Sequence, residues 1–72
     1  MTMGDDHAPR PSELTTRIGR PATAALTLGG YTTYASLTRV TAEELLALHG
    51  VGPRAIRILE EELAARGLAF RR

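Results

Sequence analysis

The second half of the chain carries apolar residues at the three-and-four spacing of an amphipathic helix. The members of this stripe are Ala55, Ile56, Leu59 and Leu63. Pro53 suits the first turn of a helix and Gly67 is a typical stop, so the pattern predicts a final helix over residues 53–66. Ile58 falls outside the stripe, toward Arg54, and we expect it to be partly exposed. Glu62 and Arg66 stand at the i,i+4 spacing of a favourable ion pair.

Shorter helical patterns precede this helix, and each is bounded by a capping residue or by glycine. They predict a helical turn over residues 12–19 and helices over residues 22–28, 34–37 and 42 to about 48. Pro21 opens the first of these helices and the Gly29-Gly30 pair ends it. Thr33 caps the second helix, and Thr41-x-x-Glu44 forms a capping box for the third. The expected fold is all-α, a compact bundle of four to five short helices.

The chain has 72 residues, which is enough for one small domain. Residues 1–11 have Gly, Asp and Pro but no apolar periodicity, so we expect a disordered tail followed by a folded domain over residues 12–72. Cys is absent, which excludes disulfides and thiolate metal sites and favours a reducing cytoplasm. Apolar runs stay far below the roughly 18 residues of a membrane span, and the polar N-terminus does not resemble a signal peptide.

Two glycines around one apolar residue form the most informative segment, which we call the Gly50 turn (residues 50–52). We expect Gly50 and Gly52 to take positive φ and to let another backbone come close. Val51 is expected to enter the core between the helices. The free amides at the start of the final helix, with the positive end of the helix dipole behind them, would then form an anion site.

An internal sequence similarity suggests a second turn of this kind, the Gly19 turn (residues 18–20). Residues 18–26 match residues 51–59 in apolar, Gly, Ala and Leu positions at the same offsets. A pair of such turns can hold the phosphates of two strands across a minor groove. The first copy lacks the earlier glycine, so the alternative is that it only packs against the second.

The order of residues around the Gly50 turn resembles the helix-hairpin-helix motif, which grips the DNA backbone without reading bases. Spaced leucines, two glycines, the small residue Ala55 and a further apolar stripe carry this resemblance. The alternative is a turn that merely closes a helical hairpin. Over most of residues 12–70 the chain is also similar to the C-terminal domain of the bacterial RNA polymerase alpha subunit, which has a SAM-like all-α fold. The matching segments are Gly30-Tyr31-Thr32-Thr33, Leu37, Glu44-Leu45-Leu46, Gly52 and Leu63-Ala64-Ala65-Arg66-Gly67-Leu68.

That resemblance implies a DNA face made of the first helix, the glycine turn and a basic-plus-small pair. Gly52, Arg54 and Ala55 occupy the turn and pair positions, whereas Pro21 and Ala24 stand where the family has Arg and Asn on its first helix. Arg17 or Arg20 could substitute from nearby. The departure favours backbone binding over recognition of a promoter sequence.

Charge is distributed unevenly, although the net charge is only +1. Both Asp residues lie in the first six positions, so residues 12–72 carry an excess of two positive charges. All nine basic residues are Arg, which suits bidentate phosphate contacts, although an Arg-rich composition also follows from a GC-rich genome. The acidic run from Glu60 to Glu62 would repel a phosphate backbone, so we expect contacts at the start of the final helix only.

These features predict a small DNA-binding module, contacting the phosphate backbone and minor groove of double-stranded DNA in the cytoplasm, at the nucleoid. The expected contact residues are Arg17, Gly19, Arg20, Gly50, Val51, Gly52, Arg54, Ala55 and Arg57. Neither a catalytic constellation nor a cofactor or metal site is expected. His49 is interpreted as a turn or packing residue, and a protonated His49 on a phosphate is the alternative. A competing function is protein interaction, docking on RNA polymerase or a transcription factor through Arg54, Ile58 and Glu61.

Overall fold

A computed structural model describes residues 12–72, and within that range it contains four α-helices, one 3₁₀ turn and no β-strand. The elements are the 3₁₀ turn Thr16–Ile18, α1 (Arg20–Leu28), α2 (Tyr34–Leu37), α3 (Ala42–Leu46) and α4 (Pro53–Ala65). The prediction of a small, compact, all-helical domain is confirmed. The predicted tail, residues 1–11 with Asp5, Asp6 and His7, lies outside the described residues.

Threonine side chains cap the two short helices as predicted. Thr33 Oγ1 accepts a hydrogen bond from the Ser36 N–H at 3.1 Å at the start of α2. Thr41 Oγ1 accepts from the Glu44 N–H at 3.0 Å, and Glu44 Oε1 accepts from the Thr41 N–H at 2.9 Å, which completes the capping box. α3 ends two residues earlier than predicted, because the Leu48 N–H bonds to the Leu45 carbonyl in the tighter 3₁₀ pattern.

Both longer helices end in a Schellman motif, in which a glycine at positive φ reverses the chain. Gly30 has φ +85° after α1, and Gly67 has φ +73° after α4. The N–H of Tyr31 reaches the Leu26 carbonyl at 2.8 Å, and the N–H of Leu68 reaches the Leu63 carbonyl at 2.8 Å. The predicted glycine stops are therefore confirmed.

The predicted turn over residues 12–19 is wrong at its beginning. Glu13 lies beside α2: its N–H donates to the Thr32 carbonyl at 2.7 Å, and its carboxylate accepts from the Tyr34 N–H at 3.0 Å. The 3₁₀ turn starts only after Thr15, whose Oγ1 accepts from the Arg17 N–H. Tertiary hydrogen bonds to α2 satisfy groups that a local helix would have used.

α4 is the central element of the core, and it packs against both the 3₁₀ turn and α3. The predicted stripe of α4 is buried. The expectation for Ile58 is wrong, because that side chain is only 7% exposed and belongs to the core. Val51 enters the core as predicted.

Tyr34 is a second centre of the core. Its hydroxyl accepts a hydrogen bond from the Thr15 N–H at 3.0 Å, and the Arg66 guanidinium lies 3.9 Å from the ring centroid. Arg66 also forms the predicted pair with Glu62, at 2.9 Å. Within residues 12–72 none of the helices is long and apolar enough to cross a membrane.

Candidate nucleic-acid interface

The Gly50 turn lies directly against the start of α1. Gly50 has φ +99°, and a Cβ added there would stand 2.8 Å from the Pro21 carbonyl oxygen and 3.2 Å from its carbonyl carbon. Glycine is required at this position both for its backbone angle and for the close approach. The contact places the Gly50 turn against Pro21, the residue that follows the Gly19 turn.

Gly52 differs from Gly50, and the expectation of positive φ at Gly52 is wrong. Its φ is −111° and its ψ is 177°, which is the extended conformation usual for a helix N-cap. A Cβ added at Gly52 would meet no atom of residues 12–72 within 4 Å. Neither the backbone nor the packing therefore requires glycine here, and the space in front of this residue is open to another molecule.

Within residues 12–72, both α1 and α4 begin without a side chain that caps their amides. Gly19 and Gly52 are the N-cap residues, and neither first turn contains an acidic residue. At the start of α4, the N–H groups of Arg54 and Ala55 have no acceptor within residues 12–72, because the first intrahelical bond runs from Ile56 to Gly52 at 3.2 Å. α2 and α3, by contrast, use threonine caps. The positive ends of the two longer helices are left uncompensated by the described part of the chain.

Three of the arginines predicted to contact DNA lie at or near these helix starts. Arg20 and Arg54 lie in the first turns of α1 and α4, and Arg57 lies about one turn further along α4. All three are exposed, and none forms an ion pair with another residue of the 12–72 range. Their charges are therefore available to an anion.

Arg17 occupies different surroundings. Its guanidinium lies 3.4 Å from Glu62 Oε2 and 4.0 Å from Glu61 Oε1, on the acidic side of α4. Glu61 is seven residues beyond Arg54, or about 10 Å along the helix axis. The structure does not bring the guanidinium of Arg17 to the start of α4.

Two of the remaining predicted contact residues have buried side chains. Val51 is 6% exposed and Ala55 is 5% exposed, so their side chains belong to the core. Gly19 has φ +92° and borders a shallow groove of about 460 Å³ beside the 3₁₀ turn. His49 is exposed in the loop after α3. Residues 12–72 contain no cluster of three or more side chains that could hold a metal ion.

Sequence reasoning missed the contact between Gly50 and Pro21. The similarity between the two segments indicates two related turns, but it does not predict that Pro21 lies against Gly50. Backbone packing between residues almost 30 positions apart leaves no periodic signal in a sequence.

No protein-family model, curated protein or solved structure matches the chain.

Proposed function

We propose that this domain is a helix-hairpin-helix module that binds the phosphate backbone of double-stranded DNA, largely without sequence preference. The observation that carries the proposal is the packing of Gly50 on Pro21, which brings the turn before α4 against the first turn of α1. Each helix start has no acidic residue in its first turn and no capping side chain from the described part of the chain, and each carries an exposed arginine. Phosphate is the anion that such helix starts commonly bind.

The open space in front of Gly52 supports a close approach of a phosphate to the start of α4. The N–H groups of Arg54 and Ala55 would donate to its oxygens, and the Arg54 guanidinium would add charge. Arg20 would contribute from α1, and Arg57 from the next turn of α4. Together these groups make a surface suited to the two edges of a minor groove.

The side chains available favour weak sequence preference. The chain contains no Asn and no Gln, the residues that commonly recognise adenine by paired hydrogen bonds. Pro21 and Ala24 are exposed on α1, and neither side chain can read a base edge. Affinity would therefore come from the backbone, in the non-specific range of about 10⁻⁴ to 10⁻⁶ M at physiological salt. The resemblance to the RNA polymerase alpha domain suggests a role in bacterial transcription, on the nucleoid.

Protein docking through Arg54, Ile58 and Glu61 is the competing function. Its apolar member, Ile58, is only 7% exposed, so that surface has no hydrophobic anchor of the kind that dominates protein interfaces. The low net charge of +1 still favours a partner other than DNA. Because the docking surface has no exposed apolar anchor, we propose DNA as the partner and treat docking on polymerase as an outcome of the test.

The test is a salt titration of binding to fluorescent AT-rich and GC-rich duplexes, read by anisotropy. We expect similar affinities for both duplexes, falling steeply with salt. Arg54→Ala should weaken binding to both equally and reduce the log–log salt slope by about one unit. Arg39→Ala is the matched control, because it removes the same charge from an exposed site outside the proposed interface. If the unaltered protein shows no salt-sensitive affinity for either duplex, DNA binding is refuted and polymerase becomes the partner to test.

A further inference from the structure

Among the four arginines expected to contact DNA, Arg17 alone pairs with carboxylates within residues 12–72. Both of its partners, Glu61 and Glu62, lie on α4, more than 40 positions away in sequence. Arg17 stands only three residues before Arg20, so its backbone is close to the proposed interface while its charge is directed elsewhere.

The two sides of this contact differ in how firmly they are held. Glu62 is fixed by Arg66, which bonds to its carboxylate at 2.9 Å and to its backbone carbonyl at 2.8 Å. Arg66 is itself stacked on the buried ring of Tyr34. The side chain of Glu62 is 25% exposed, whereas that of Arg17 is 61% exposed. The carboxylate is thus the anchored partner, and the guanidinium is the one with room to move.

We infer that Glu61 and Glu62 act as an intramolecular competitor for Arg17, in exchange with a DNA phosphate. This inference rests on the proposed function. In the free domain the carboxylates neutralise Arg17, and the domain presents Arg20, Arg54 and Arg57 alone. Release of Arg17 adds a fourth phosphate contact beside the Gly19 turn. The carboxylates of α4 therefore lower the affinity for DNA by holding Arg17, in addition to repelling the phosphate backbone through their charge.

The experiment compares two double variants that change the net charge equally. Glu61→Gln/Glu62→Gln removes both partners of Arg17, while Arg66 keeps its bond to the Glu62 backbone carbonyl. Glu43→Gln/Glu60→Gln is the matched control, because these exposed carboxylates form no ion pair with residues 12–72. Binding to a labelled AT-rich duplex is measured by anisotropy over a series of salt concentrations, and folding is checked by thermal melts.

The first double variant should bind about two- to five-fold more tightly than the control variant, the range that an exposed ion pair can withhold. Its salt slope should also be steeper by about one unit, for one added phosphate contact. Both gains should disappear when Arg17→Gln is added, because the released side chain is then missing.

Equal tightening in both double variants would overturn the inference while leaving DNA binding intact, since only overall charge would then matter. A gain that survives Arg17→Gln would overturn it as well. Absence of salt-sensitive binding in every protein, the unaltered one included, would instead refute the proposed function and with it this inference.

Discussion

Replacing Gly52 with Asp should stabilise the domain and weaken DNA binding more than ten-fold, two effects that an essential structural glycine could not combine. The backbone at Gly52 is extended, with φ −111°, and a Cβ there meets no atom of the described residues within 4 Å, so the new side chain fits without strain. Asp is among the preferred N-cap residues. Its carboxylate would accept hydrogen bonds from the amides at the start of α4, which the described part of the chain leaves without acceptors.

The stability gain follows from two contributions. Replacing a Gly cap by Asp is worth a few tenths of a kcal/mol, and a negative charge at a helix N-terminus adds about 0.3–1 kcal/mol. A total of about 1 kcal/mol raises Tm by about 4–8 °C in a domain of this size. Binding should weaken more than ten-fold, because each amide bond to a charged phosphate contributes about 1.5–3 kcal/mol and the Asp occupies those amides.

The assays are thermal melts followed by circular dichroism and anisotropy titrations with a duplex. Gly52→Asn separates the two causes, since it caps the helix with the same shape but adds no charge. Gly50→Ala gives the opposite structural result: its Cβ would stand 2.8 Å from the Pro21 carbonyl oxygen at φ +99°, so Tm should fall. Wild-type affinity in a stabilised Gly52→Asp protein would refute phosphate binding at this turn. A lower Tm would refute the cap geometry.

Two further predictions concern stability alone. Tyr34→Phe removes the acceptor of the Thr15 N–H and should lower the free energy of unfolding by about 0.5–1.5 kcal/mol in urea melts. Tyr31→Phe is the control and should be near neutral, because the Tyr31 hydroxyl forms no hydrogen bond within residues 12–72. Equal losses in the two variants would contradict this prediction. The pKa of Glu44 is lowered from 4.5, first by the hydrogen bond from the Thr41 backbone N–H and then by Arg71. Because the folded pKa lies below the unfolded value, the stability contributed by the ionised Glu44 carboxylate is present above about pH 4.5 and is lost as pH falls through the folded pKa. Glu44→Gln should therefore reduce the loss of stability on acidification. A dependence of stability on pH equal to that of the unaltered protein would contradict this prediction.

Local signals in the sequence determined where the helices start and stop. The caps of α2 and α3 involve Thr33, Thr41 and Glu44, each bonded to groups three residues away. The hydrogen bonds that form the stops at Gly30 and Gly67 each join residues five positions apart. Interactions this short depend on the identity of neighbouring residues and little else, so the sequence was sufficient to predict them. The apolar stripe of α4 was predictable for a similar reason, because helical periodicity is itself local.

Only the tertiary structure decided which groups meet across the domain. It placed Glu13 beside α2, buried Ile58 in the core, and directed Arg17 to Glu62, 45 positions away. It also separated the two glycines of the Gly50 turn, giving Gly50 a backbone contact with Pro21 and leaving Gly52 open. These outcomes depend on how the helices pack against one another, and a contact between distant residues leaves no periodicity in a single sequence from which it could be predicted.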